Sequence, residues 1–360
     1  MRNGNAYQTP WFVAPKNALP THGTGGLKRP AHWALLPLPM ESDWKKFRYR
    51  LEWLALKALA RLVPLLPRMG CVHLGTWVGR LLFQLDRNGR AVALANIECA
   101  FGDRFTPEER VRIARDSYSN FARTMFDLFW APRLNRRNAG HYFEMEGIEP
   151  ASAVLANGRG FVAFTSHHGN FEWGSLGFGF SKLQGSIVTE TFANTLIQDI
   201  FDNLRQRSGQ RMIPQASSLL RMLKCVKRGE AVGLLIDLNV PPSQAALAID
   251  AFGMKMCVTG IHAVIAQRTG CPLIPFSTDP RPDGTCRVVM HPEVDVPPDA
   301  SVLEITQRCW DVIEDVVTRD PSRWMWSYKH WRYRPKGSTA KYPFYANTSG
   351  KFEQVLRRQA

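Results

Sequence analysis

The chain has 360 residues, 45% of them hydrophobic, and a formal net charge of +15. This length and apolar content allow an α/β core with appendages and exclude global disorder. The charge points to acidic partners (nucleic acid, anionic lipid or an acidic carrier protein), and 7 cysteines without a C-x-x-C pair argue against a disulfide framework or a zinc knuckle.

Residues 1–40 carry Pro10, Pro15, Pro20, Pro30, Pro37 and Pro39 with Gly23, Gly25 and Gly26. Such spacing prevents regular structure and predicts a disordered extension. Met40 directly precedes the first patterned segment and is a candidate start of the native chain. The N-terminus lacks the basic start and apolar stretch of a signal peptide. No apolar run has the length expected of a transmembrane helix.

From Asp43 to Leu66 the period becomes helical. Phe47, Leu51, Leu54, Ala58, Leu62 and Leu65 form an apolar stripe, and Lys46, Arg50, Lys57, Arg61 and Arg68 form a basic one. An apolar face beside a basic face is expected of a helix lying on anionic lipid. Trp44, Tyr49 and Trp53 add residues that favour the membrane interface. The competing reading is a surface helix packed on the core. Helical spacing continues through Leu74, Trp77, Val78, Leu81, Leu82 and Leu85. Thr106 as N-cap and Pro107 in the first turn then open a helix expected to reach about residue 129.

After Arg137 short strand and helix patterns alternate. Strands are expected at 142–146, 161–165, 185–190, 231–236, 273–278 and 286–291, and helices at 170–181, 194–207, 217–227, 257–268 and 301–319. The alternation predicts an α/β fold with a mixed, mostly parallel central sheet flanked by helices, preceded by a helical, membrane-associated N-terminal segment. Asp283-Gly284 reads as the turn of a closing hairpin. The expected organisation is a disordered extension at 1–40, a helical region at 41–137, an α/β domain at 138–335 and a polar, frayed tail at 336–360.

The stretch Thr165-Ser166-His167-His168-Gly169-Asn170-Phe171-Glu172 sits where a strand hands over to a helix. Sites in open α/β sheets gather at the carboxyl ends of strands. Histidine is the usual general base near neutral pH, and a carboxylate on its second ring nitrogen fixes the tautomer. His168 and Glu172 are four apart and share a helical face. His167 can pair with Glu172 only from the turn ahead of the helix. Spacing alone leans towards His168 and leaves both open. A metal reading lacks a third ligand at a usual zinc spacing, and a turn histidine capping the helix is the structural alternative.

His167-x4-Glu172 within H-H-G-N-F-E resembles the H-x4-D/E motif of glycerolipid-type acyltransferases, in the local form of the late lipid A (lauroyl and myristoyl) acyltransferase family. The likeness runs co-linearly over roughly residues 50–335. It includes Ala95-Asn96-Ile97 with Ala100-Phe101, Arg205-Gln206-Arg207-Ser208-Gly209 and the strand from Gly229 to Asp237. It continues through Phe252-Gly253, Thr259-Gly260, Ala266, Thr269-Gly270 and Pro275 to Pro321-x-x-Trp324-x-Trp326 and Trp331-Arg332-x-Arg334-Pro335. The chain departs from the family pattern at His168, Ala251, Tyr328 and His330, and at Glu190-Thr191-Phe192.

The resemblance implies His167 as catalytic base and Glu172 as its acidic partner. It places Arg205 and Asp237 at further required positions, Arg207 beside them, and suits the backbone N–H groups of Gly169 and Asn170 to an oxyanion. Asp237 is read as holding Arg205 or positioning the acceptor. The implied reaction moves an acyl chain from an acyl-acyl carrier protein to a hydroxyl of a glycolipid, a lipid A precursor, without metal or tightly bound cofactor. Its place would be an anionic membrane surface, the cytoplasmic face of the cell inner membrane, with the Trp/Arg-rich segment 321–335 as a second membrane contact or, alternatively, a packed strand and helix. Other acceptors consistent with the chemistry are a lysophospholipid, an aminolipid or a phosphoinositide mannoside. A non-catalytic membrane-binding homologue is the alternative of another class. Nucleic-acid binding is suggested by charge alone, since no recognised motif accompanies it.

Overall fold

The structure, a computed structural model, describes residues 43–183, 185–216 and 218–360. The extension expected at 1–40, with Met40, lies outside the described residues. Helices come first: α1 (Asp43–Leu62), α2 (Arg68–Leu85), α3 (Arg87–Phe101) and α4 (Pro107–Trp130). α4 starts where its cap demands. The Thr106 hydroxyl accepts from Glu109 N–H, and the Glu109 carboxylate accepts from Thr106 N–H, so two otherwise orphaned donors are satisfied.

The α/β part then runs α5 (Ala139–Tyr142), β1 (Phe143–Glu146), α6 (Glu149–Ala156), β2 (Phe161–Thr165), α7 (Phe171–Phe180), β3 (Gly185–Thr189), α8 (Gln198–Arg205), β4 (Arg211–Pro214), α9 (Ser218–Lys227) and β5 (Ala231–Leu235). It continues with β6 (Ala246–Ala251), β7 (Met254–Thr259), α10 (Ile261–Thr269), β8 (Leu273–Pro280), β9 (Cys286–Met290), α11 (Val302–Arg319), β10 (Tyr333–Arg334), β11 (Asn347–Thr348) and α12 (Gly350–Gln359). The main sheet has the order β1-β9-β8-β2-β5-β3-β4. Neighbours are parallel except β8 and β9, the hairpin about Asp283-Gly284. The expected mixed, mostly parallel sheet is therefore present.

β2 is central and buried along its whole length, as expected of a parallel strand with both faces covered. Successive side chains alternate between the faces. Val162 and Phe164 join one core with α3, α9, α10 and α11, while Phe161 and Ala163 join the other with α1, α4, α7 and α8.

Three segments differ from the sequence expectations. The helix expected from residue 257 starts at Ile261, because Met254–Thr259 pairs with Ala246–Ala251 as an antiparallel ribbon. The tail expected to fray instead forms α12, whose Phe352 and Val355 are buried against β6. The aromatic segment read as a membrane contact is interior: Trp324, Trp326 and Trp331 are each 0% exposed. They close the face that carries α3 and α11, in line with the packed alternative for this segment.

The opposite holds for the first two helices. Of the α1 stripe, Phe47, Leu51, Leu54 and Leu62 are exposed, and Leu56 is the buried residue of that helix. α2 exposes Trp77, Leu81, Leu82 and Leu85 in turn. Among the described residues no helix is long and apolar enough to cross a membrane.

Candidate active site

The register of the sheet brings the site together. Thr165 of β2 is level with Leu235 of β5. Ile236 N–H continues the pairing by donating to the Thr165 carbonyl at 3.1 Å. Two residues beyond Thr165 is His167, and two beyond Leu235 is Asp237. The Asp237 carboxylate takes both groups of His167: the backbone N–H at 2.9 Å and ring Nδ1 at 2.8 Å. Trp324 adds its indole N–H to Asp237 Oδ2 at 2.8 Å. Burial alone would raise the fully buried Asp237, but the His167 imidazole and its hydrogen bonds outweigh it and hold the carboxyl below the ordinary carboxylate range. A carboxylate on Nδ1 makes Nε2 the ring atom that can take a proton from a substrate.

The turn itself is held in place by the segment that follows α11. Met325 N–H donates to the His167 carbonyl at 3.2 Å, and Gly169 N–H donates to the Arg323 carbonyl at 3.2 Å. Gly169 has φ +62°, and a Cβ there would lie 2.2 Å from the Thr278 carbonyl oxygen, so only glycine fits. His330 stacks on Trp324 with ring centroids 3.9 Å apart. Burial pushes the His330 imidazole down to about 4, so it is neutral beneath Asp237.

Of the two histidines, the geometry selects His167 as the one beside a carboxylate. His168 turns into the fold, where its Nε2 meets the Asp320 carbonyl at 2.8 Å and burial lowers its pKa. Glu172 departs from the expected pairing. The carboxylate on His167 Nδ1 is Asp237, whereas Glu172 accepts from Arg205 Nε at 3.0 Å and Nη2 at 2.6 Å. The cause is helical geometry: Glu172 lies in the first turn of α7 and faces α8, from whose last turn Arg205 reaches it. Burial pulls Arg205 down, but the Glu172 pair outweighs it and holds the guanidinium above its ordinary value. Asp237 thus meets His167 and not Arg205.

The other expected groups already have partners in the fold. Arg207 is exposed and donates to the Pro132 carbonyl at 3.0 Å, tying the end of α8 to the α4 exit. The N–H groups of Gly169 and Asn170, expected to serve an oxyanion, already have acceptors: the Arg323 carbonyl and, at 2.7 Å, the Thr278 hydroxyl. Asn170 is instead the N-cap of α7, accepting from Trp173 N–H at 3.0 Å.

On the far side of the turn, Asn170 Nδ2 donates to Asp127 at 2.7 Å, and Arg68 and Arg123 flank the same carboxylate. The Arg68 guanidinium lies 4.2 Å from the Trp173 ring centroid. This network joins the start of α2 to the N-cap of α7.

Beneath the turn lies an apolar cavity of about 50 Å³, bordered by Ala163, Thr165, Phe171, Phe178, Ile187 and Leu235 among others. Its Phe171 wall meets His167 edge-on, with ring centroids 4.9 Å apart.

Sequence reasoning missed Trp324 as a donor to Asp237, although its tryptophan motif was visible. It missed Asp127, which carried no local signal, and it placed Glu190 in a stretch expected to line the substrate groove without giving that carboxylate a role of its own. Glu190 follows β3 directly and lies within electrostatic reach of His167.

Residues 40–333 match the family described as bacterial lipid A biosynthesis acyltransferase. The chain is 26% identical over 303 residues to the lipid A biosynthesis lauroyltransferase of Escherichia coli (strain K12), covering 82% of this chain and 95% of that one. It is 22% identical over 301 residues to the lipid A biosynthesis palmitoleoyltransferase of the same strain, with the same coverages. A lipid A biosynthesis acyltransferase of Shigella flexneri is similar to the same degree, 22% over 301 residues. The chain is an acyltransferase and belongs to the bacterial lipid A biosynthesis acyltransferase family.

Proposed function

We propose that the chain moves a fatty acyl group from an acyl-acyl carrier protein to a hydroxyl of a lipid A precursor, with His167 as general base. The observation that carries this reading is the 2.8 Å contact of His167 Nδ1 with buried Asp237 at the carboxyl edge of the sheet. Nε2 takes the hydroxyl proton as the acceptor oxygen attacks the thioester carbonyl. The C–S bond then breaks, and the imidazolium returns its proton to the leaving thiolate. Asp237 holds the tautomer and stabilises the imidazolium. Glu172 acts one step away, by fixing Arg205 on the acceptor side of the turn. With the Gly169 and Asn170 amides engaged, the developing oxyanion falls to the positive end of α7. The apolar cavity beneath His167 gives the acyl chain its direction. No metal or cofactor is required by these steps.

The surface supports the same reading. The outward apolar residues of α1 and α2 form a face suited to lipid, with Lys57, Arg61 and Arg80 to meet anionic headgroups. Each large side chain fully withdrawn from water contributes about 1.5–3 kcal/mol, so a few suffice to hold these helices on the cytoplasmic face of the inner membrane. The charge of +15 also suits an acidic carrier protein.

The test is transfer from acyl-acyl carrier protein to a purified lipid A precursor, read by mass spectrometry. His167→Ala is expected to lower the rate by roughly 10²–10⁴-fold with an unchanged melting temperature. Retention of the rate in that variant would sink the mechanism. Absence of transfer by the unaltered enzyme would sink the choice of substrates.

A further inference from the structure

The carboxyl edge of the sheet holds a second acidic group that the mechanism does not use. β3 pairs with β5 so that Ile187 is level with Gly233, and β2 pairs with β5 so that Thr165 is level with Leu235. The same register carries Thr189 to the level of Leu235 and puts Glu190 one residue beyond. Glu190 therefore leaves its strand on the edge where His167 and Asp237 leave theirs, on the opposite side of β5 from His167. It is half-buried, and no hydrogen bond or ion pair engages its carboxylate among the described residues. Burial raises its pKa while the His167 imidazole pulls the other way. Tyr328 lies within electrostatic reach of both Glu190 and Asp237. The other acidic groups nearby have partners: Asp237 has His167 and Trp324, and Glu172 has Arg205.

A half-buried carboxylate with no hydrogen-bond donor from the protein is poorly hydrated and free to accept from a ligand. We infer that Glu190 is a specificity-determining residue that binds a hydrogen-bond-donating group of the acceptor lipid, a hydroxyl, amide N–H or ammonium next to the hydroxyl that His167 deprotonates, and that it rejects an anionic group at that place. The inference deepens the proposed function and rests on it for the identity of the acceptor. The thioester carbonyl has no hydrogen-bond donor of its own, and the nearest amide N–H of the carrier arm lies two carbons beyond the sulfur, so a change in donor KM instead of acceptor KM would overturn the assignment of Glu190 to the acceptor. A phosphate or carboxylate brought to the same place would meet a like charge at a half-buried position, which is how a site rejects one acceptor while accepting its neighbour.

The experiment measures acceptor KM, donor KM and kcat for Glu190→Ala and Glu190→Gln, with the lipid A precursor as acceptor and acyl-acyl carrier protein as donor. Glu190→Ala is expected to raise acceptor KM by roughly ten- to a hundredfold, with donor KM and saturated kcat within twofold. Glu190→Gln keeps acceptor KM within a few-fold when the partner is a hydroxyl or amide, and behaves like the alanine variant when it is an ammonium. An unchanged acceptor KM in Glu190→Ala overturns the inference. So does a shift in the acid limb of the pH–rate profile without a change in acceptor KM, because Glu190 would then act through His167. Calorimetric binding of the same precursor in detergent micelles, without donor, reads Glu190 independently of turnover. Precursor that binds more weakly to Glu190→Ala upholds the role of Glu190 even where the unaltered enzyme shows no transfer, and equal binding removes it.

Discussion

The turn that carries His167 is gripped from two sides, each time by a fully buried aspartate, and the two grips differ in kind. Asp237 meets the backbone and ring of His167 and the indole of Trp324. Asp127 meets cations, Arg68 and Arg123, together with the Asn170 amide. The charge of Asp127 is compensated before any substrate arrives, so it can only hold shape. In the proposed mechanism, that of Asp237 is left to stabilise a positive charge on His167 during turnover. A buried carboxylate therefore marks chemistry only when its partners leave its charge to be used.

The largest expected effect lies on the Asp237 side. In Asp237→Asn an amide faces the imidazole, the tautomer is no longer fixed and the imidazolium loses its counter-charge. Losses of about 10⁴-fold accompany this change in catalytic triads, and a comparable fall in transfer rate is expected here with the melting temperature nearly unchanged. A rate within tenfold of the unaltered enzyme would place the working carboxylate elsewhere. The Asp127 side should answer in the other currency. Asp127→Ala strands Arg68 and Arg123 in the interior and is expected to cost about 3–5 kcal/mol, read as a lowered urea midpoint. The folded fraction should still turn over within a few-fold of the original rate. If both variants lose rate equally at equal folded fraction, the distinction between the two grips fails.

Much of the architecture was legible because local signals were strong. The β2 run Phe161–Thr165 and the Thr106 capping box appear where patterning places them. The histidine choice was legible only through the resemblance, since spacing leaned towards His168. The partner of His167 was not legible. Glu172 is five residues away along the chain and Asp237 is seventy, and nothing in a linear spacing encodes the parallel register that aligns Thr165 with Leu235. Trp324 and Trp326 misled for a related reason. Composition cannot tell an aromatic cluster that closes a core from one that meets lipid, and among the described residues the exposed tryptophans are Trp44 and Trp77.

The smallest effect is a pH dependence that should follow the same division. Asp127 is flanked by arginines, which keep their charge at any ordinary pH. The other face holds neutral, buried histidines. Burial alone lowers His262 to about 4, and burial, against the pull of Asp237, lowers His330 to about 4. Their ordinary value is 6.5. Between those values the unfolded chain binds protons that the folded chain refuses, so stability is complete above the upper value and falls as the medium is acidified towards the lower. Each histidine contributes about 3 kcal/mol to that loss. Asp237, whose folded carboxyl lies below its ordinary range, adds a further loss only at lower pH still. His262 is the cleaner probe, because neither ring nitrogen has a hydrogen-bond partner among the described residues. His262→Phe should therefore flatten the decline of the urea midpoint between pH 6.5 and about 4 and leave transfer at neutral pH intact. An unchanged slope in that variant would mean that His262 accepts its proton within the fold, and that acid does not enter through the histidine face.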